Sequence, residues 1–507
     1  MEPIASLSVE LIIIAVTLIS ILYLFIMRPY DYWTKRGVMQ IKPVPFFGNF
    51  IKPFFMKQAS GYWLKEFYEK SDGLPYMGVY VLNQPGLMIR DPILIKQILL
   101  KDFNNFADKF MEAGRGDHLG NANLFIVKNP QWKILRTKIS PVFTSGKLRN
   151  MFELMTKVGE NLDTYMESLS LHGSGNKVEM KELCAKFTTD LIGTTAYGLE
   201  VNSLNNPNAE FRKFGKKIFT YDLFRTMELN FIFIVPQLAK LFNLKFFRGD
   251  SGAFLKQVFT ETLNEREKSG AKRKDLIDLL IELKNKYAGE EDSSGIKFEG
   301  DILCGQAAIF FTGGYETSST TMSYAFYELA KQPEIQEKLR FEIKNALEQN
   351  NGKITQDLIN GLQYLDMVVS ETLRMYPILP ILDRKTMNDY KIPGTNLIIE
   401  KGIPVFIPLL GLHYDQKYFP KPQLFDPDRF SEENRNSRTN YVYMPFGEGP
   451  RNCIGMRLGL LQTKLGLIHI ISQYELTTCD ETKAEIDPRA YLTTVKGGIV
   501  LNLRKID

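Results

Sequence analysis

The stretch Phe446-Gly-Glu-Gly-Pro-Arg-Asn-Cys453-Ile-Gly455 limits this chain more than any other, because it sets a cysteine in a glycine-rich turn at the mouth of an amphipathic helix. Gly447, Gly449 and Gly455 let the backbone turn sharply and approach something flat. A thiol just before a helix N-terminus meets unpaired N–H groups and the positive end of the helix dipole, which predicts a lowered pKa and a thiolate. Phe446 is placed to shield that sulfur, and Arg451, two residues before it, to pair with a carboxylate. The other cysteines, Cys184, Cys304 and Cys479, make no CxxC pair and read as inert thiols. Four cysteines in 507 residues exclude a disulfide scaffold and indicate a reducing compartment.

Charge excludes a second class of function. The formal balance is +5, near neutral for this length, so bulk charge gives no argument for nucleic-acid binding. With 44% hydrophobic and 24% charged residues the chain is neither disordered, collagenous nor multispanning. Apolar spacing of three and four predicts helices over Asp275 to Asn285, Asp301 to Gln332, Glu334 to Gln349 and Ile454 to Ser472. Shorter strand signals fall at Met77 to Val81, Leu87 to Arg90, Leu397 to Ile399 and Val405 to Pro408. No repeat or Gly/Ser linker interrupts residues 50–507, which therefore read as one mainly α domain with small β-sheets. Residues 211–259 are crowded with Phe, Tyr and Lys, and read equally as core or as a lipophilic roof resting on a bilayer.

The amino end reads as an address. Leu11 to Met27 is uncharged, and at 1.5 Å per residue it spans roughly 25 Å, close to a hydrocarbon core of ~30 Å. Bulky residues follow it instead of a cleavage site, so residues 1–28 are expected to be an uncleaved membrane anchor. Arg28, Lys35 and Arg36 then place the main body on the cytoplasmic side. Residues 29–49, with Pro43 and Pro45, are expected to form a stiff neck.

Asp301 to Gln332 carries two glycines in its middle, Gly313-Gly314, each costing ~1 kcal/mol against alanine in a helix, so a ligand's close approach is the natural cause. Thr317, four residues after Gly313, is placed to bond its carbonyl and open the helix locally; Glu316 beside it offers a titratable group for a proton relay. Glu371-Thr-Leu-Arg374 sets opposite charges on one helical face, and Trp132 and Arg136 stand one turn apart. His118, in the preceding loop, reads as solvated, and no pair of histidines has zinc spacing.

Phe446, Gly449, Cys453 and Gly455 together resemble the haem-binding signature of the cytochrome P-450 haem-thiolate monooxygenases, F-x-x-G-x-x-x-C-x-G. Gly313 to Ser318 resembles the oxygen-binding helix motif of that family, and the anchor and neck resemble its microsomal class. Phe46 to Asn49 and Phe143 to Leu148 are similar to the insect family-six branch. Gly313 and Ser318 depart from the Ala and Thr that many members carry, which affects pocket shape and not oxygen activation.

The resemblance implies the cytochrome P-450 fold behind a single transmembrane helix, haem b on Cys453, and dioxygen as co-substrate. It makes Trp132, Arg136, Arg384 and Arg451 haem-propionate ligands, Phe446 and Gly313 neighbours of the haem, Thr317 and Glu316 the proton path, and Glu371, Arg374 and Arg429 a buried network behind the haem. Leu119, Leu124, Phe125, Ile309, Phe310, Ile378, Leu379, Ile381, Thr493 and Thr494 are the expected pocket walls, apolar enough for a neutral lipophilic substrate. No dinucleotide fingerprint is present, so electrons are expected from NADPH through a separate FAD/FMN reductase, docked by Lys133, Lys138, Arg435, Arg438, Arg457 and Lys464. The resemblance admits cytochrome b5 as a second donor. The expected activity is oxidation of lipophiles such as plant toxins or insecticides at the endoplasmic reticulum membrane. The alternatives are a steroid or fatty-acid hydroxylase, a haem-thiolate isomerase and a non-catalytic lipophile-sequestering haem protein.

Overall fold

The computed structural model describes residues 12–17, 20, 23, 28–206, 208–289 and 297–506. Most of the expected anchor lies outside these residues. Among the described residues no helix is long and apolar enough to cross a membrane.

Periodicity located the four expected helices to within two residues, whereas the strand expected from Leu87 begins three residues earlier, at Gln84. The helices stand at Leu276–Lys286, Gly300–Lys331, Pro333–Gln349 and Met456–Gln473. Strands β1 (Tyr76–Val81), β2 (Gln84–Ile89), β4 (Ile381–Lys385) and β7 (Pro404–Pro408) make one sheet in the order β1-β2-β7-β4, with only the β2–β7 pair parallel. β3 (Asn176–Glu179), β8 (Tyr474–Thr477) and β9 (Val500–Lys505) make a second sheet, and β5 (Tyr390–Lys391) and β6 (Ile398–Ile399) a short third.

The segment 29–49 is not a spacer standing off the body. Trp33 is fully buried against β1, Gly78 N–H donates to Met39 O at 2.9 Å, and Asn49 N–H donates to Tyr80 O at 2.8 Å. Its prolines stiffen a chain that the sheet edge then holds.

The Gly300–Lys331 helix is apolar around most of its circumference, which suits a helix covered on all sides. It packs against the helices Met180–Ala196, Met456–Gln473 and Gln363–Met375. Leu303 to Phe311 belong to a core shared with the main sheet and the roof, whereas Met322 to Ala330 belong to a second core shared with Pro333–Gln349 and Met456–Gln473. Residues 313–318 fall between the two cores. An internal cavity opens at that seam.

Candidate active site

Cys453 looks into this cavity from one side. Its sulfur is exposed to the cavity although protein surrounds it, and its backbone N–H donates to Phe446 O at 2.8 Å, closing the loop that the glycines predicted. Gly449 has φ +74°, and a Cβ there would lie 2.1 Å from Leu99 O, so this turn accepts only glycine. The helix starts at Met456, and the expected low thiol pKa does not emerge: burial pushes the Cys453 thiol up, opposed by the Gly455 N–H, Arg136 and Lys109. A dipole end acts on a charge against desolvation, and here desolvation is the larger effect.

The long helix faces Cys453 across the space. A Cβ built on Gly313 would touch nothing, whereas one on Gly314 would lie 2.3 Å from Ile192 Cδ1. The first glycine therefore leaves room for a ligand, and the second is a packing notch. Thr317 Oγ1 donates to Gly313 O at 2.6 Å as expected, but the helix stays unbroken from Gly300 to Lys331, so the expected local opening is absent. Glu316 borders the cavity, yet its carboxylate is already engaged: Lys181 Nζ, from the helix Met180–Ala196, lies 3.0 Å away, and Thr320 Oγ1, one turn on in its own helix, donates at 3.2 Å. Its helical position turns it a third of a turn from Thr317, a fact that neighbouring sequence numbers conceal.

One edge of the cavity gathers cations. Arg384 and Arg451 are buried, and Arg384 Nε and Arg451 Nη1 have no hydrogen-bond partner. Arg451 stacks on Trp132 at 4.3 Å and is anchored to Ala107 O, Val127 O and Asp108, and burial next to Arg384 lowers its pKa to about 9. Arg136 also lines the cavity, while its guanidinium donates to Asn452 O at 2.9 Å and Oδ1 at 2.7 Å. Lys109 lies in the same wall over Phe125, its pKa pushed well down by burial. Sequence reasoning missed it: Lys109 stands in an irregular loop that no spacing rule reaches, held against β4 by Asp383, which accepts from the amides of Phe110 and Met111. Buried donors without partners need an anion. A flat dicarboxylate fits this edge, the open face of Gly313 and the sulfur of Cys453, so the residues present suit haem b.

Behind the cysteine loop, Arg374 pairs bidentately with Glu371 (Nε–Oε2 2.6 Å, Nη2–Oε1 2.8 Å), both fully buried, and Arg429 Nε approaches Glu371 Oε1 at 3.3 Å. The expected triad is thus assembled.

The pocket walls need revision. Leu124, Phe125, Ile309, Phe310, Ile378, Leu379 and Ile381 line the cavity. Leu119 does not; it is buried where the long helix passes its carbonyl at Gly305. Thr493 and Thr494 do not either, since Thr493 Oγ1 donates to Pro377 O at 2.6 Å and bolts its turn in place, leaving Tyr491 and Leu492 at the wall. Tyr491 stacks on Phe233 at 4.0 Å, and Phe219, Tyr221 and Phe246 close the top. The aromatic region is therefore both things at once: Phe233 and Phe246 are core, whereas Phe224 and Phe242 are 72% and 62% exposed. His118 is exposed and takes no part. Of the expected docking cations, Lys133, Arg435 and Arg457 are exposed; Lys464 is buried against Asp366 at 2.8 Å, and Arg438 is tucked over Phe430.

The family model for cytochrome P450 matches residues 40–502. Cytochrome P450 6k1 of Blattella germanica is 43% identical over 512 residues, covering 98% of this chain and 97% of that protein. Probable cytochrome P450 6g2 of Drosophila melanogaster is 42% identical over 509 residues, covering 97% and 98%. Cytochrome P450 6j1 of Blattella germanica is 39% identical over 505 residues, covering 99% of each.

Proposed function

The chain belongs to the cytochrome P450 family, and from that premise we propose that it oxidises neutral lipophiles of foreign origin, plant toxins and insecticides among them, at the endoplasmic reticulum membrane. As a member it is a monooxygenase that carries haem b and takes electrons from NADPH through a separate reductase. The observation that carries the proposal is one cavity with a sulfur on one face, two guanidiniums at one edge that each keep one nitrogen without a partner, and an apolar aromatic roof.

When bound, haem b supplies the activation of dioxygen, one atom of which enters the substrate. The chain's own residues do the rest. Cys453 would hold the iron through its sulfur. Arg384, Arg451, Arg136 and Trp132, joined by Lys109, would hold the propionates. Thr317 Oγ1 has its proton committed to Gly313 O, which leaves its lone pairs to accept from a water and so place that water, itself the proton carrier, at the cavity wall. Glu316 is turned a third of a turn from Thr317 and paired with Lys181, so it reaches Thr317 only through water. The wall carboxylates favour a neutral substrate because each is already occupied, Glu316 by Lys181 and Asp383 by two backbone amides.

The membrane reading rests on apolar surface. Ile12, Ile13, Ile14 and Val16 are exposed on a helical stretch, as are Phe224, Leu241 and Phe242 on the roof. With residues 1–28 as anchor, the body faces the cytoplasm. Exposed Lys133, Arg435 and Arg457 suit an acidic reductase, with cytochrome b5 as a second donor.

The test uses full-length protein with reductase. Wild type is expected to show the red-shifted carbon monoxide band of a haem-thiolate and to consume NADPH when toxins or insecticides are added. Cys453→Ala is expected to lose the band. An unchanged band in that variant would sink the ligand assignment, and turnover restricted to steroids or fatty acids would replace the substrate class.

A further inference from the structure

His413 closes the helix Leu409–His413 that follows β7, and it is fully buried. It does not line the cavity, and the expected proton path does not use it. Its two ring nitrogens nevertheless have fixed partners on two different pieces of the cysteine side. Nε2 lies 3.3 Å from the backbone N of Met444, and Nδ1 lies 3.1 Å from the carbonyl oxygen of Arg374.

The partners settle the tautomer. A backbone N–H only donates, so Nε2 is the bare, accepting nitrogen; a carbonyl only accepts, so Nδ1 carries the proton. One neutral tautomer satisfies both ends. An imidazolium would set an N–H against the N–H of Met444, and burial next to Arg374 accordingly drops the His413 pKa to about 3.

Each end leads somewhere. Arg374 lies in the last turn of the Gln363–Met375 helix, where a carbonyl lacks a helical partner and His413 supplies one; in return Arg374 Nη1 donates to His413 O at 2.9 Å. On the other side Met444 O accepts from Gly447 N–H at 2.9 Å, and Phe446 O accepts from Cys453 N–H at 2.8 Å. A continuous run of hydrogen bonds and short backbone segments therefore leads from Glu371, through Arg374 and His413, to the turn that aims the sulfur. Tyr443, with ring centroids 5.3 Å apart, keeps the imidazole from tilting.

We propose that His413 is a positioning residue for the haem thiolate: as the Nδ1–H imidazole it ties the Met444 end of the cysteine loop to the buried Glu371–Arg374 pair. It holds the loop in the geometry in which Cys453 stays a thiolate ligand, and it rests on the reading of Cys453 as that ligand. His413 touches neither substrate nor cofactor.

The experiment follows the carbon monoxide complex of reduced full-length protein over time at 25 °C in four proteins: wild type, His413→Phe, His413→Gln and Leu339→Ala. Phe keeps the ring shape and removes both bonds. Gln offers an acceptor and a donor on one terminal amide. Leu339, buried in the second core, matches a loss of melting temperature without touching the loop. His413→Phe is expected to convert from the red-shifted band to the shorter-wavelength form at least tenfold faster than wild type, with a shifted haem reduction potential. His413→Gln is expected to recover most of both properties, and Leu339→Ala to move neither. Equal conversion in wild type and His413→Phe would overturn the proposal, as would equal acceleration in Leu339→Ala at the same melting temperature. If His413→Phe does not fold, His413→Leu, which also removes both bonds, takes its place, and conversion in that variant no faster than in Leu339→Ala overturns the proposal. A wild type without the band would mark the failure of the ligand assignment itself.

Discussion

Lys181 and Glu316 show how a residue's company changes its meaning. Read along the chain, Glu316 belongs with Thr317; in space it belongs with Lys181, and the pair is nearly sealed, with side-chain exposures of 16% and 5%. Stripping one partner from a buried pair leaves a charge without compensation, which costs about 3–5 kcal/mol, while removing both often costs far less. Lys181→Met is therefore expected to destabilise by about 3 kcal/mol, and Lys181→Met with Glu316→Gln to recover much of that loss. Thermal unfolding of the set decides it, and a double variant less stable than Lys181→Met would contradict the pairing. His413 gives a second residue-scale expectation. Its folded pKa of about 3 lies below the ordinary value near 6.5, so on acidification the unfolded chain takes up a proton that the folded chain refuses. Stability from this group is complete above about pH 6.5 and is lost as pH falls from there toward 3, by about 1.4 kcal/mol per pH unit. Phe cannot titrate, so the difference in stability between wild type and His413→Phe should shrink by one proton's slope across that window. A pH-independent difference would refute the assignment.

The long helix carries the expectation that belongs to elements. Gly313 and Gly314 are adjacent and chemically identical, yet a methyl at the first meets open space and at the second meets Ile192 at 2.3 Å. Gly313→Ala should stabilise the helix by up to ~1 kcal/mol and narrow the cavity, weakening the bulkiest substrates first. Gly314→Ala should cost about 1–3 kcal/mol by overpacking. Equal melting temperatures for the two variants would mean that the helix is not seated as described. This pair also marks what was legible in the chain. Helix ends, strands and the closed cysteine turn followed from local rules, since apolar spacing, glycine and proline act within a few residues. Which way Glu316 turned, why Lys109 joined the cavity and why Thr493 left it depended on partners more than a hundred positions away: Lys181 lies 135 positions from Glu316, Asp383 holds the amide beside Lys109 from a separation of 273, and Pro377 bonds Thr493 from 116. Long-range pairing leaves no period in the sequence.

At the scale of the whole molecule, two cores meet along one helix, and the roof that closes the seam turns its remaining aromatics outward. Phe54 packs on Phe231 and Phe47 on both Phe54 and Phe55, so the segment just after the neck and the roof form one body, with Phe46, Phe55, Leu223, Phe224, Leu241 and Phe242 exposed on it. Water leaves that much apolar surface bare only at a cost, because fully burying one such side chain is worth about 1.5–3 kcal/mol. Two phenylalanines taken into a bilayer interface already rival a single acyl chain, which binds membranes weakly and reversibly, so this patch is expected to hold the body on lipid without residues 1–28. The truncated protein should keep its fold, because Tyr30 and Trp33 are already packed against the sheet. It should float with neutral vesicles, and Phe224→Asp with Phe242→Asp should lower that binding at least tenfold while leaving the haem spectrum unchanged, since neither side chain lines the cavity. A truncated chain that stays entirely in solution would confine membrane contact to the anchor, and an unchanged double variant would place the contact on another face. The substrate cavity and the lipid phase would then no longer share a wall, and lipophiles would have to reach the roof through water.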